Sequence, residues 1–273
     1  MHPVFIAIRR LLCVIALCTS TASFSQQVCS TLTVTGPPQG PPSSWVQDGK
    51  LVGASVDFIR HIAKEAGVKE VKFIVYENWS QALEATREGQ VDVLFSAAWS
   101  TVRSQYLNYI QPAYASQNLF VIVRHGERFP LRRYDDLKSR TGIAGLGESY
   151  GDSKFGQFVE KELNLKRSNN IGESFERLMA GEVDYMLAYE NAALSEIFLR
   201  NLPGKVEIVN TFPYRTDTFI TFSKRSKCYA GLADKFSQEI AEAKQDNLFF
   251  RLMNKYRDIF NQGAVIFDYR KPK

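Results

Sequence analysis

Short apolar runs alternate with amphipathic stretches along most of this chain. Leu32-Thr33-Val34-Thr35 has period two and predicts a strand, which runs into Gly36 to Pro42, where the prolines predict a loop. From Asp57 to Ala66 the apolar positions Phe58, Ile59, Ile62, Ala63 and Ala66 fall on one stripe and Gly67 follows, predicting a helix and its stop. Lys72 to Tyr76 predicts the next strand and Ser80 to Glu88 the next helix. Val91, Val93, Leu94 and Phe95 then form a short β-branched and aromatic run of the kind that fills a buried strand. Strand, loop, helix, strand, helix, strand is the signature of an α/β layer with parallel pairing.

A second set begins after Tyr114. Asn118 to Val123 predicts a strong apolar strand leading to the basic segment Arg124 to Arg133. Gly142-Ile143-Ala144 predicts a strand, Ser153 to Leu163 and Ser174 to Ala180 helices, and Val183 to Leu187 another strand. Phe219-Ile220-Thr221-Phe222 adds a strand, and Leu232 to Tyr256 reads as one long helix. Two similar lobes are therefore expected, joined by strands near 118–123 and 217–223, with a cleft between them.

The first 25 residues stand apart from this pattern. A basic start ending in Arg9-Arg10, an apolar stretch from Leu11 to Cys18 too short to span a bilayer, and a small-residue segment up to Ser25 predict a secretory signal peptide cleaved near Gln26. Ile15-Ala16-Leu17-Cys18 approaches a lipoprotein box, with the bulky Leu17 where a small residue belongs. Losing Arg9 and Arg10 takes the formal charge from +5 to +3, with no long basic run, so nothing calls for nucleic acid. No second apolar stretch reaches spanning length, and the exported product is expected to be soluble. Cys13 and Cys18 leave with the leader. Cys29 and Cys228 remain, and an even pair in an oxidising compartment favours a disulfide, with two separate buried thiols as the alternative. Three histidines, His2, His61 and His125, are too few for a histidine-rich metal centre, and neither a metal nor a cofactor is expected.

The most informative chemistry lies just past the 91–95 strand. Ser96, Ala97, Ala98 and Ser100 are small and leave backbone N–H groups approachable, and Arg103 follows, a planar cation suited to a two-pronged grip on a carboxylate. An ordinary solvated arginine at a helix start is the competing reading. Trp79 is a candidate wall for the same site or a core plug. Trp45, beyond the prolines, is a candidate cleft wall or a surface residue.

An ordered set of motifs carries a resemblance. It comprises Asp48-Gly49-Lys50-Leu51-Val52-Gly53 with Val56-Asp57-Phe58 and Ile62-Ala63-Lys64; Trp79; Gly89-Gln90-Val91-Asp92; Arg103; Pro112 with Tyr114; Asp136-Leu137-Lys138; Gly147-Glu148-Ser149-Tyr150-Gly151; and Ala180-Gly181-Glu182-Val183-Asp184. In that order the chain resembles the bacterial extracellular solute-binding proteins of the polar amino-acid type, the periplasmic receptors of ABC importers. The resemblance implies an α/β, two-lobed periplasmic-binding-protein-like fold with a two-strand hinge (type II). It places lobe I at 26–117 and 220–262, lobe II with the hinge strands at 118–219, and a tail at 263–273. It implies that Arg103, with Ser96 and Ala98, holds a ligand carboxylate, that Trp79 covers the ligand, and that Gly147, Ser149 and Tyr150 meet it from the second lobe. The acid that usually holds the ligand's ammonium is displaced: the family spacing lands on Tyr189, and Glu190 sits one place later.

The function expected from this is a monomeric periplasmic receptor that binds a small carboxylate-bearing ligand, best a polar amino acid, and hands it to a membrane permease. Two alternatives stay open. The same fold hosts dehydratase-like enzymes, for which Glu148 or Glu190 would be the candidate carboxyl, although no nucleophile elbow or metal cluster is present and no enzyme activity is expected. A ligand sensor for a separate membrane receptor is the other. Arg124, Arg128, Arg132 and Arg133 read as a solvated face or a partner contact.

Overall fold

A computed structural model describes residues 29–209 and 214–263. The expected signal peptide, its cleavage point and residues 264–273 of the expected tail lie outside the described residues.

The first layer is built from β1 (Thr31–Thr35), β5 (Glu70–Phe73) and β6 (Val93–Ala98), with β1 parallel to both of the others. Between them lies a small antiparallel sheet of β2 (Gln39–Gly40), β3 (Ser44–Gln47) and β4 (Lys50–Val52), and β2 falls inside the proline segment, where a loop without regular structure was expected. Helix α1 (Ala54–Glu65) starts three residues before the predicted point and buries Phe58, Ile59 and Ile62 completely. Each of those side chains contributes about 1.5–3 kcal/mol of burial. Helix α2 (Trp79–Arg87) covers the opposite face, so β6 sends Val93 and Phe95 into one core and Leu94 and Ala97 into another. After β6 come the short helix α3 (Thr101–Ser104) and β7 (Leu107–Tyr109).

Strand β8 (Ala115–Arg124) leads into the second layer, formed by β9 (Gly142–Gly145), β10 (Leu165–Ser168) and β11 (Tyr185–Tyr189), with helices α4 (Lys154–Glu162), α5 (Ile171–Met179) and α6 (Glu190–Leu199). β9 runs parallel to β10 and β11, and β12 (Val206–Ile208) pairs with β8. The chain returns through β13 (Tyr214–Ser223). β10, β12 and α6 were not foreseen; α6 is apolar on several faces at once, with Ala192, Ala193, Leu194, Ile197 and Phe198, so it shows no stripe.

All the strands of both layers join one ten-stranded sheet, in the order β10-β9-β11-β8-β13-β6-β1-β5 along its length. Its middle is the antiparallel pair β8–β13, from Ala115 opposite Thr218 to Leu119 opposite Tyr214. Beyond that ribbon β13 continues against β6 and β7, and β8 against β11 and β12, so two strands bridge the lobes. The long C-terminal helix of the sequence reading is two helices, α7 (Tyr229–Gln245) and α8 (Leu248–Gly263). Asn247 between them takes a left-handed φ of 53°, a conformation that ends a helix and that asparagine tolerates. α7 and α8 pack back on α1. Cys29, just before β1, and Cys228, capping α7, form a disulfide with Cα atoms 5.3 Å apart.

Candidate functional site

The site starts with an irregularity in β6. Leu94 pairs with Thr221 and Ala97 with Phe219, so three steps on β6 match two on β13 and one residue is extra. Ser96 takes up the surplus with a left-handed φ of 63°. Such a bulge re-aims the strand end that follows it. Ser96 Oγ lies 2.7 Å from the buried Tyr114 hydroxyl, which lies 3.1 Å from Ser55 Oγ, itself 2.9 Å from Ser43 Oγ. This chain of hydroxyls ties the bulge to the proline segment through the core of the first lobe. Tyr114 is fixed by stacking on Phe58, with ring centroids 5.3 Å apart.

Two residues past β6, Ser100 caps α3 by accepting the Arg103 backbone N–H at 3.1 Å, which turns the Arg103 side chain back beneath the strand end. Arg103 is only 4 % exposed. Its Nη1 donates to Ala98 O at 3.2 Å, an oxygen that also accepts from the Tyr109 hydroxyl at 2.9 Å. Its guanidinium carbon lies 5.6 Å from the Trp79 ring centroid, a cation–π contact of about 0.5–2 kcal/mol. Trp79 is held by its place as the first residue of α2, whose cap Asn78 accepts from Gln81 N at 3.0 Å. Burial pushes the Tyr109 phenol up to about 12, so it stays a proton donor.

The second lobe supplies the loop between β9 and α4. Arg103 Nη2 donates to Gly147 O at 3.0 Å, directly across the cleft. Gly147 and Gly151 have left-handed φ values of 76° and 71°, and a Cβ on either would meet the other lobe, Ser80 Cα at 3.2 Å and Trp99 O at 2.8 Å. Only glycine allows this approach of backbone to backbone. At the rim Asp152 Oδ2 accepts from Thr101 N at 2.9 Å and from the Thr101 hydroxyl.

Between these contacts lies a cavity of about 120 Å³ lined by both lobes. Of the sequence-predicted residues, Arg103, Trp79, Ser96, Ala98 and Ser149 line it, and Gly147 flanks it through its bond to Arg103. Tyr150 does not. It is fully buried beneath the loop, 6.0 Å from Phe155 and 6.1 Å from Tyr189 between ring centroids, and its hydroxyl donates to Glu148 Oε2 at 3.3 Å. Trp45 is also away from the cavity, edge-on to Tyr256 and Phe260 of α8, each 5.9 Å off. Glu190 turns away to accept from Asn118 Nδ2 at 2.6 Å, while its neighbours Tyr189 and Asn191 face the cavity.

Sequence reasoning overlooked Gln117 on β8, Asn78 capping α2, and Asn169 and Asn170 at the start of α5. Asn170 had a signal, a helix-capping asparagine three residues before Glu173, whose N–H it accepts at 2.8 Å. Gln117 had none. Glu148, part of the expected second-lobe loop and the candidate carboxyl of the enzyme alternative, is a cavity wall. Burial pushes its pKa up, against the opposing pull of the Tyr150 hydroxyl, Arg167 and Arg103. Burial also pushes the Tyr189 phenol up, helped by Glu148. Among the described residues no group of three or more His, Cys, Asp or Glu side chains comes together, and no helix is long and apolar enough to cross a membrane. The arrangement is a cavity between the lobes, open to solvent on one side where Gln39, Asn169 and Asn170 are exposed, with a fixed cation on one wall, a carboxyl on the other, and neutral polar groups around them.

Residues 32–259 match the family model for bacterial extracellular solute-binding proteins, family 3. The chain is 23 % identical over 263 residues to the probable amino-acid-binding protein YxeM of Bacillus subtilis (strain 168), covering 96 % of each. It is 26 % identical over 218 residues to the L-cystine-binding protein TcyJ of Escherichia coli (strain K12), covering 79 % of this chain and 78 % of that one. Among solved structures, an ancestral arginine-binding protein bound to arginine has the same fold, with a TM-score of 0.68 at 24 % identity over 83 % of this chain and 98 % of the other.

Proposed function

Since the chain belongs to the bacterial extracellular solute-binding proteins, family 3, we propose that it is a periplasmic receptor that encloses a small carboxylate-bearing solute, an amino acid, and delivers it to the permease of an ABC importer. The observation that carries this reading is Arg103, a nearly buried guanidinium bonded to a carbonyl of each lobe at the cavity wall. Those two bonds leave donors of its five free for a carboxylate. The relatives' names, for amino acids in general and for cystine and arginine, agree with a ligand of that kind. Ser96 and Ser149 lie in reach of the same space, and Trp79 backs the guanidinium. A closed, dehydrated chamber strengthens a paired charge and penalises a missing partner.

The test is a thermal-shift screen with amino acids, amines and small organic acids, because a ligand that binds only the folded state raises its melting temperature by mass action. A stabilising amino acid is expected. Arg103→Ala should lose that stabilisation while the ligand-free protein still melts cooperatively; stabilisation retained by the variant would remove Arg103 from the site. Glu148, with its raised pKa in the cavity, is the carboxyl a dehydratase would use. Mass analysis of the ligand recovered after incubation decides that point: the receptor reading requires it unchanged.

A further inference from the structure

The charges around the cavity are few. Among the described lining residues Arg103 is the one cation and Glu148 the one acid. Arg167, which faces Glu148 from β10, is bonded behind the loop to the carbonyls of Gly145 at 3.2 Å and Glu148 at 3.4 Å and does not line the chamber. Asp152 is occupied at the rim by Thr101. The remaining polar wall is dominated by carboxamides, Gln39, Asn78, Gln117, Asn169, Asn170 and Asn191. Asn78 and Asn170 spend their oxygens on helix caps, which turns what is left of them into donors. The side-chain amides of Gln39, Gln117 and Asn191 make no hydrogen bond among the described residues, so each brings both a donor and an acceptor.

Resting on the receptor reading above, we propose that this site selects by charge: it takes amino acids whose side chain is uncharged and carries an amide or hydroxyl, with Arg103 on the carboxylate, Glu148 on the ammonium, and the carboxamide wall on the side chain. The argument is one of balance. An amino acid's own carboxylate and ammonium use the two opposite charges that the described lining residues offer. With the lobes shut over the ligand, a cationic side chain would meet no acid and an anionic one no base among the described lining residues, and an unpaired charge held away from water is heavily disfavoured. An uncharged polar side chain meets groups that can both give and accept. The loop that carries Glu148 is the one Arg103 grips through Gly147, so the two ends of a zwitterion are served from adjacent positions.

The experiment is calorimetric titration of the full chain with L-glutamine, L-asparagine, L-serine, L-threonine, L-arginine, L-lysine, L-glutamate, L-aspartate and L-leucine. The tightest ligand is expected among the first four, ahead of every charged amino acid by roughly a hundredfold or more. A charged or wholly apolar winner overturns the selectivity and leaves the receptor standing. Binding of none of the nine sinks the receptor reading and this inference with it. Glu148 is tested by comparing the best amino acid with its counterpart lacking the amino group. Wild type should prefer the former by tenfold or more, and Glu148→Gln, verified as folded by its ligand-free melt, should erase most of that gap. Equal binding of the two compounds to wild type removes Glu148 from the ammonium role without reference to any variant.

Discussion

A carboxyl buried at the wall of a cavity is costly to ionise. The Glu148 pKa is raised by burial, with Tyr150, Arg167 and Arg103 only partly offsetting it, so the folded chain holds the Glu148 proton more tightly than the unfolded chain does. The sign follows from linkage: this residue's contribution is complete below the ordinary carboxyl pKa and is lost as pH rises through the folded one. Glu148→Gln should therefore melt close to wild type near about pH 4 and above it at about pH 7, both without ligand. A variant that melts lower than wild type across that whole range would mean the carboxylate is already satisfied. What could be read at this scale from sequence was a residue whose type and place suffice. Arg103, after a buried strand and small residues, is such a case. Glu148, Gln117 and Tyr189 acquire meaning only when two distant segments face each other, and Trp45 and Tyr150 show the converse, aromatic side chains whose neighbours in the core claimed them.

Elements whose hydrophobic period was clean, such as α1 and β6, could be placed from sequence, and their edges could not. β6 runs three residues beyond its apolar stretch because Ala97 and Ala98 find partners in β13, more than a hundred positions away. The break between α7 and α8 falls where Asn247 turns left-handed. The loop after β9 was flagged by its glycines, and the structure gives them a mechanical reason: they are where the lobes touch. Gly147→Ala should weaken ligand binding about tenfold, or 1.4 kcal/mol, because its Cβ would press on Ser80 only when the lobes meet. Titration with any stabilising amino acid checks this, and undiminished affinity would mean that the approach is not needed for binding.

At the scale of the molecule, one sheet runs through both lobes and narrows to the β8–β13 ribbon, where the Arg215 guanidinium donates to Ser116 Oγ from Nε at 2.8 Å. Bending there would move the walls of the cavity without breaking either core. The Cys29–Cys228 bond lies wholly within the first lobe, beside the core shared by α1 and α7. Replacing both cysteines with serine should cost about 5 kcal/mol of stability in the chain-entropy account, seen as a lower melting temperature. The ligand-induced shift should survive, since the ribbon is untouched; its disappearance would tie the bond to binding. Because 199 positions separate the two cysteines, the entire second lobe is a detour that leaves a covalent knot and comes back to it. A protease that nicks that detour would therefore release no fragment, and the severed halves would part only once a reductant had opened the knot.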